Sequence, residues 1–220
     1  EITGGNTGGG NKYITESGIY DVTIKAVSVE KSKSGATSLN FNLDYNGEGT
    51  TIYGMYILNK DGDFLPGFKT FTQLATVAGL VDEDGNMNVE DPEAQVHTLG
   101  KDNKEVELQV LDQFTDLNVK LRIQMEYSIY NNQIQERKVI KSFFNEDGAF
   151  ADEILSGKNV GKRLAFEEEK LANNITYRDE LTPEDVAAWK EAKKTGKSAP
   201  AVATTAKVAP TAKSNGLFKN

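Results

Sequence analysis

"IYDVTIKAVSVEKSKSGATSLNFNLDYN", residues 19–46, decides how the rest of the chain is read. Tyr20, Val22, Ile24 and Ala26 share one face and Asp21, Thr23 and Lys25 the other, the period of two that marks a half-buried strand. Val27 and Val29 then fall on what had been the polar face, so a bulge or bend is expected near Ala26. Residues 37–46 alternate cleanly, with Leu39, Phe41, Leu43 and Tyr45 one way and Asn40, Asn42 and Asp44 the other. Between the two strands "SKSG" supplies a turn in which Gly35 is free to take positive φ. The tip is read as flexible and cationic, with Lys31 and Lys33 beside serines, in a chain whose net charge is −8.

That contrast makes charge distribution the next question, because local field governs binding more than net charge. Residues 82–107 hold nine acids and two lysines, and residues 144–192 hold twelve acids and six bases. Residues 117–143 instead hold five bases and two acids, and residues 193–220 hold six lysines and no acid. Two acidic segments set the total, and a β-hairpin and the tail are basic. The length of 220 residues suffices for one substantial domain with extensions. The absence of cysteine excludes disulfides and thiolate metal sites. The apolar runs are too short for a membrane span and no secretory leader opens the chain, so a soluble protein of the cytoplasm is expected.

Outward from the opening hairpin, residues 1–12 read as a flexible glycine-rich arm. Residues 50–58 form a third strand in which Gly54 marks a kink or a close approach, with Tyr53 and Tyr56 on opposite faces, one stacking and one in the core. Phe68, Phe71, Leu74, Ala75 and Ala78 recur at helical spacing. Residues 81–104 read as an acidic, irregular insertion and residues 105–111 as a short strand. A long hairpin turns at Asn131-Asn132. In residues 145–194, an acidic helical extension, "LTPEDVAAWKEAKK" is a helix with Thr182 as N-cap and Pro183 at the first helical position. Residues 195–220 read as a disordered basic tail with a small apolar tip, "GLF". Three strands, a helix, an insertion and further strands give a mainly β fold. The expected form is a five-stranded OB-fold-like barrel over residues 13–144, with a helix after strand three.

The candidate site is the set of cations and rings that single-stranded nucleic acid requires. Lys31 and Lys33 at the tip, and Lys120, Arg122, Arg137 and Lys141 on the long hairpin, are assigned to phosphate. Tyr53, Tyr56, Tyr130 and Phe143 are assigned to base stacking. Other chemistry finds less support. "DEDGNMNVEDPE", residues 82–93, places acidic and amide side chains at calcium-loop spacing, but its glycine is at position 4 instead of 6, so a solvated loop is expected and no metal is assigned. His97 has no partner for a triad, no catalytic residue or cofactor is assigned, and Glu136, Lys138 and Asp116 form only a thin case for a metal-dependent nuclease.

The stretch "ESGIYDVTIKAVSVEKSKSGATSLNFNLDY", the aromatic strand after it and the helix "GFKTFTQLATVAGL" resemble the small single-stranded DNA-binding, recombination-associated proteins of tailed bacteriophages. Gly18-Ile19-Tyr20 matches the strand entry of that group and Lys31 to Gly35 its turn. The resemblance covers roughly residues 13–144 and implies an OB-fold that coats replicating or recombining strands without sequence preference, with no catalytic residues. The basic tail departs from the group's acidic one, and residues 145–192 have no counterpart. The expectation is therefore a non-enzymatic single-stranded DNA-binding protein whose C-terminal region meets replication or recombination proteins. The alternatives are a phage structural or host-interaction protein with an acidic protein partner, and the nuclease.

Overall fold

The computed structural model describes residues 13–99 and 104–196. The glycine-rich arm, and the tail from residue 197 on, lie outside the described residues. The chain divides into two compact units, one comprising residues 1–126 and 136–176, the other residues 127–135 and 177–220. This division cuts the expected boundary at residue 144: most of the acidic extension belongs to the first unit, and the end of the long hairpin belongs to the second.

The first unit is an antiparallel sheet built around β1 (Gly18–Lys31), which is flanked on one side by β2 (Thr37–Tyr45) and β3 (Glu48–Leu58). On its other side β1 changes partner along its length. Gly18 to Ile24 pair with β6 (Leu117–Tyr130), whereas Ser28 and Val29 pair with β5 (Lys104–Val110). The change follows the register shift between Ile24 and Ala26, where the apolar pattern switches phase. The bulge keeps Val22, Ile24, Val27 and Leu39 in one core with Phe41 and Leu43. β4 (Glu93–Leu99) pairs with β5, so residues 93–99 of the expected irregular insertion are strand. β7 (Gln133–Phe144) returns along β6. Asn131 and Asn132 both take positive φ, as a two-residue hairpin turn requires.

The eight strands form one open sheet, not a closed five-stranded barrel, and among the described residues β3 and β7 do not pair. The helix expected after strand three is present as α1 (Pro66–Val77), and it occupies the seam. It packs on β3 through Gly67, where an added Cβ would stand 2.3 Å from the Tyr56 carbonyl oxygen. It reaches β7 through Gln73, whose Oε1 accepts from the Phe143 N–H at 3.4 Å. Phe71, Leu74 and Ala75 fill the core between, with Phe114 edge-on to Phe71. A helix wedged between two strand edges leaves neither edge a strand neighbour.

The acidic extension covers the second face of β6. α2 (Ala151–Ser156) is followed by α3 (Lys162–Lys170) and the short β8 (Ile175–Tyr177). The buried Glu153 of α2 caps the first turn of α3 by accepting from the N–H groups of Gly161 at 3.1 Å and Arg163 at 2.8 Å, and it also accepts from Phe150 N–H. Burial pushes its carboxyl up. The N–H groups of Phe150, Arg163, Gly161 and Lys162 outweigh burial and hold it below the usual range. In the second unit α4 (Pro183–Lys194) begins with the expected cap, Thr182 Oγ1 accepting from Asp185 N–H at 3.2 Å. Tyr127, Tyr177 and Trp189 pack together there.

Two measurements check this packing. Gly67→Ala is expected to cost roughly 1–3 kcal/mol in urea unfolding, because the new methyl meets backbone that cannot step aside. Glu153→Gln is expected to cost about 2 kcal/mol at pH 7. A carboxylate held low contributes stability above its unfolded pKa of about 4.3 and loses it as pH falls through the folded value. The gap between wild type and Glu153→Gln should therefore close below about pH 4, and a gap that widens on acidification would contradict the assignment.

Candidate nucleic-acid interface

β3 opposes Phe41 with Ile52 and Leu39 with Met55, three steps on one strand against two on the other. The extra residue is absorbed at Gly54, whose φ of +74 suits glycine. Its N–H is held by Asn40 Oδ1 at 2.9 Å, and Asn40 in turn donates to Glu30 Oε2 at 2.9 Å. The bulge reverses the parity of the strand. Ile52 is buried and Met55 packs against the core, whereas Tyr53 and Tyr56 both turn outward, 66% and 44% exposed. The expectation that one of these rings belongs to the core is therefore corrected.

Arg137 of β7 comes to the same place. A Cβ added at Gly54 would stand 3.3 Å from Arg137 Nη2 and 3.6 Å from the Tyr56 ring, so the guanidinium lies over the glycine with the tyrosine beside it. Arg137 is exposed, and among the described residues no carboxylate pairs with it. A groove of about 300 Å³ runs along these residues between β3 and β7, floored by Leu65, Pro66 and Gly67 of the α1 entry and bordered by Lys138 and Ile140.

The turn between β1 and β2 lies at the far end of β3. Ser38 pairs with Tyr56 and Thr37 with Leu58, and a Cβ added at Gly35 would touch Lys60 Cβ at 3.3 Å. Lys31 and Lys33 are exposed there. The turn is more closely tied than expected: Ser32 Oγ accepts from Ala36 N–H at 3.1 Å and meets Ser34 Oγ at 2.9 Å. Its hydroxyls are used inside the turn, and its outward chemistry is that of the lysines.

The long hairpin contributes less than its sequence suggests. Phe143 is fully buried against Phe41 and cannot stack on a base. Arg122 is buried, its Nε donating to Glu167 Oε2 at 2.6 Å. Glu167 has no exposed surface and also accepts from Arg163 Nε at 2.6 Å and Ser142 Oγ at 2.9 Å. Lys120 pairs with Asp21, and Lys141 with Glu126 at 2.8 Å. Tyr130 is exposed, but it belongs to the second unit. The structure thus gathers Tyr53, Tyr56 and Arg137 on one face, sets Lys31 and Lys33 in the turn beyond β3, and ties Lys120, Arg122 and Lys141 to carboxylates. Gly54, marked in the sequence as a kink or a close approach, is both a bulge and the place where Arg137 comes near, and what the sequence does not show is that it turns both tyrosines outward.

Two carboxylates named for the other candidate chemistries are held by their neighbours. Asp82 turns its carboxylate onto Asn86, accepting from the backbone N–H at 2.8 Å and the side-chain amide at 3.1 Å. Asp116 pairs with Lys25 at 2.7 Å. Among the described residues no three acidic or histidine side chains converge as a metal site, and no helix is long and apolar enough to cross a membrane. No family model matches the chain, and no curated protein matches it, so the functional reading rests on the geometry of the β3 face.

Proposed function

We propose that this chain binds single-stranded DNA without sequence preference, coating strands during replication or recombination of the kind that tailed phages carry out. The observation that carries the reading is the Gly54 bulge, which turns Tyr53 and Tyr56 to one exposed face with Arg137 between the strands. Two exposed rings and an unpaired guanidinium are what a flexible strand needs, since every base has a π-face and every nucleotide a phosphate. Lys31 and Lys33 extend the cationic path beyond the end of β3. The strand run β3-β2-β1-β6-β7, with a helix after β3, follows the order of an OB-fold, whose second and third strands and first loop hold oligonucleotides. The opening between β3 and β7 is compatible with that plan, which is itself only partly closed.

Fluorescence anisotropy of a labelled poly-dT oligonucleotide, at two salt concentrations and with duplex competitor, tests the proposal. Binding should weaken with salt and ignore duplex. Tyr53→Ala and Tyr56→Ala should each cost roughly 1–3 kcal/mol of affinity. Arg137→Ala should lower the salt slope by about one. Arg122→Ala should lower the unfolding midpoint and leave the salt slope unchanged, since its partner is Glu167. No binding at low salt, or equal binding by the tyrosine variants, overturns the reading.

A further inference from the structure

The groove beside the two tyrosines is deeper than a stacking platform requires. Its volume of about 300 Å³ sits at the small end of the range for small-molecule pockets, roughly 300–1,000 Å³. Its lining is largely apolar, from Met55, Leu65, Pro66 and Ile140, with Thr70 of α1 and Arg137 adding polar groups. β3 and β7 border it without a strand partner on that side among the described residues. An edge strand presents backbone N–H and C=O groups to whatever lies beside it. Such a space is too small for an added strand. It suits one flat heterocycle that is apolar on its faces and hydrogen-bonding along its rim. The charge agrees with this occupant: Arg137 and Lys138 border the groove, and among the described residues neither pairs with a carboxylate.

We infer that the groove takes a single nucleobase of the bound strand, unstacked from its neighbours and inserted between the β3 and β7 edges against Met55. This rests on the proposed strand binding and deepens it. The strand lies across Tyr53 and Tyr56, its phosphate meets Arg137, and one base leaves the stack and enters between the strands. Backbone groups at the two edges then meet the rim of that base, a contact that an abasic sugar-phosphate cannot make.

The chain has three methionines, which makes the test direct. Met55 lines the groove, Met125 is buried in β6, and Met87 follows the Asp82 turn. With methyl-13C-methionine in the full chain, a short dT oligonucleotide should move the Met55 signal upfield, as the face of an aromatic ring does, and leave Met87 and Met125 nearly in place. An abasic oligonucleotide of the same length should not move it. Thr70→Trp, which fills the groove from α1, should abolish the ligand-induced Met55 shift and retain weakened binding by anisotropy. Binding that leaves Met55 unmoved, or moves all three signals alike, overturns the inserted base and leaves the tyrosine platform standing. An absence of binding removes both. Should Thr70→Trp fail to fold, the wild-type titration with the two oligonucleotides decides alone.

Discussion

The hydrogen bond from Gly54 N–H to Asn40 Oδ1 is the constraint on which the shape of the β3 face depends. A bulge takes a backbone donor out of the strand ladder, and a buried donor left without a partner costs about 1–3 kcal/mol. Asn40 removes that cost from the neighbouring strand, and Glu30 orients Asn40 from the strand beyond. Three strands thus fix one irregularity. The core gains Ile52 and Met55 opposite Phe41 and Leu39, and the outer face gains Tyr53 and Tyr56. Without the bulge, regular alternation would put Tyr53 and Met55 together on one side and Ile52 and Tyr56 on the other.

The wedge made by α1 decides what lies next to those rings. Gly67 lets the helix sit on the β3 backbone, and Gln73 meets β7 at Phe143. The helix fills the seam at that level, and the groove remains beside Met55 and Arg137. The cations of the chain are sorted by the same packing. On β6 they are consumed as structure, Lys120 paired with Asp21 and Arg122 sharing the buried Glu167 with Arg163 of α3. Removing one member of such a buried arrangement leaves an uncompensated charge, which makes it a fold determinant. Arg137, Lys138, Lys31 and Lys33 keep their charge for the surface. A chain of net charge −8 can in this way present a cationic track.

Much of the fold was legible where local rules act alone. The phase switch at Val27 announced the β1 bulge, the paired asparagines announced the hairpin turn, and Thr182 announced the cap of α4. Features that depend on distant partners were not legible. Phe143 reads as an exposed ring until Phe41 is placed against it, and Arg122 reads as a surface cation until Glu167, forty-five residues away, arrives over it. β4 was missed because Glu93, Ala94, Gln95 and His97 give it little of the usual strand composition, and its structure comes from pairing with β5. The closed barrel was expected from strand order, but order does not say whether the first and last edges meet. Tyr53 and Tyr56 were assigned to opposite faces by simple alternation, and only the count of residues opposite Phe41 and Leu39 reveals the extra one.

On the proposed function, a single strand lies on the bulged face of β3. Ultraviolet crosslinking of an oligonucleotide containing bromodeoxyuridine, followed by mass mapping of the joined peptides, tests it most directly. Crosslinks concentrated at Tyr53 and Tyr56, and lost when excess unlabelled poly-dT competes, are the predicted result. Crosslinks that avoid β3 and map to the β6–β7 hairpin or the tail would contradict it.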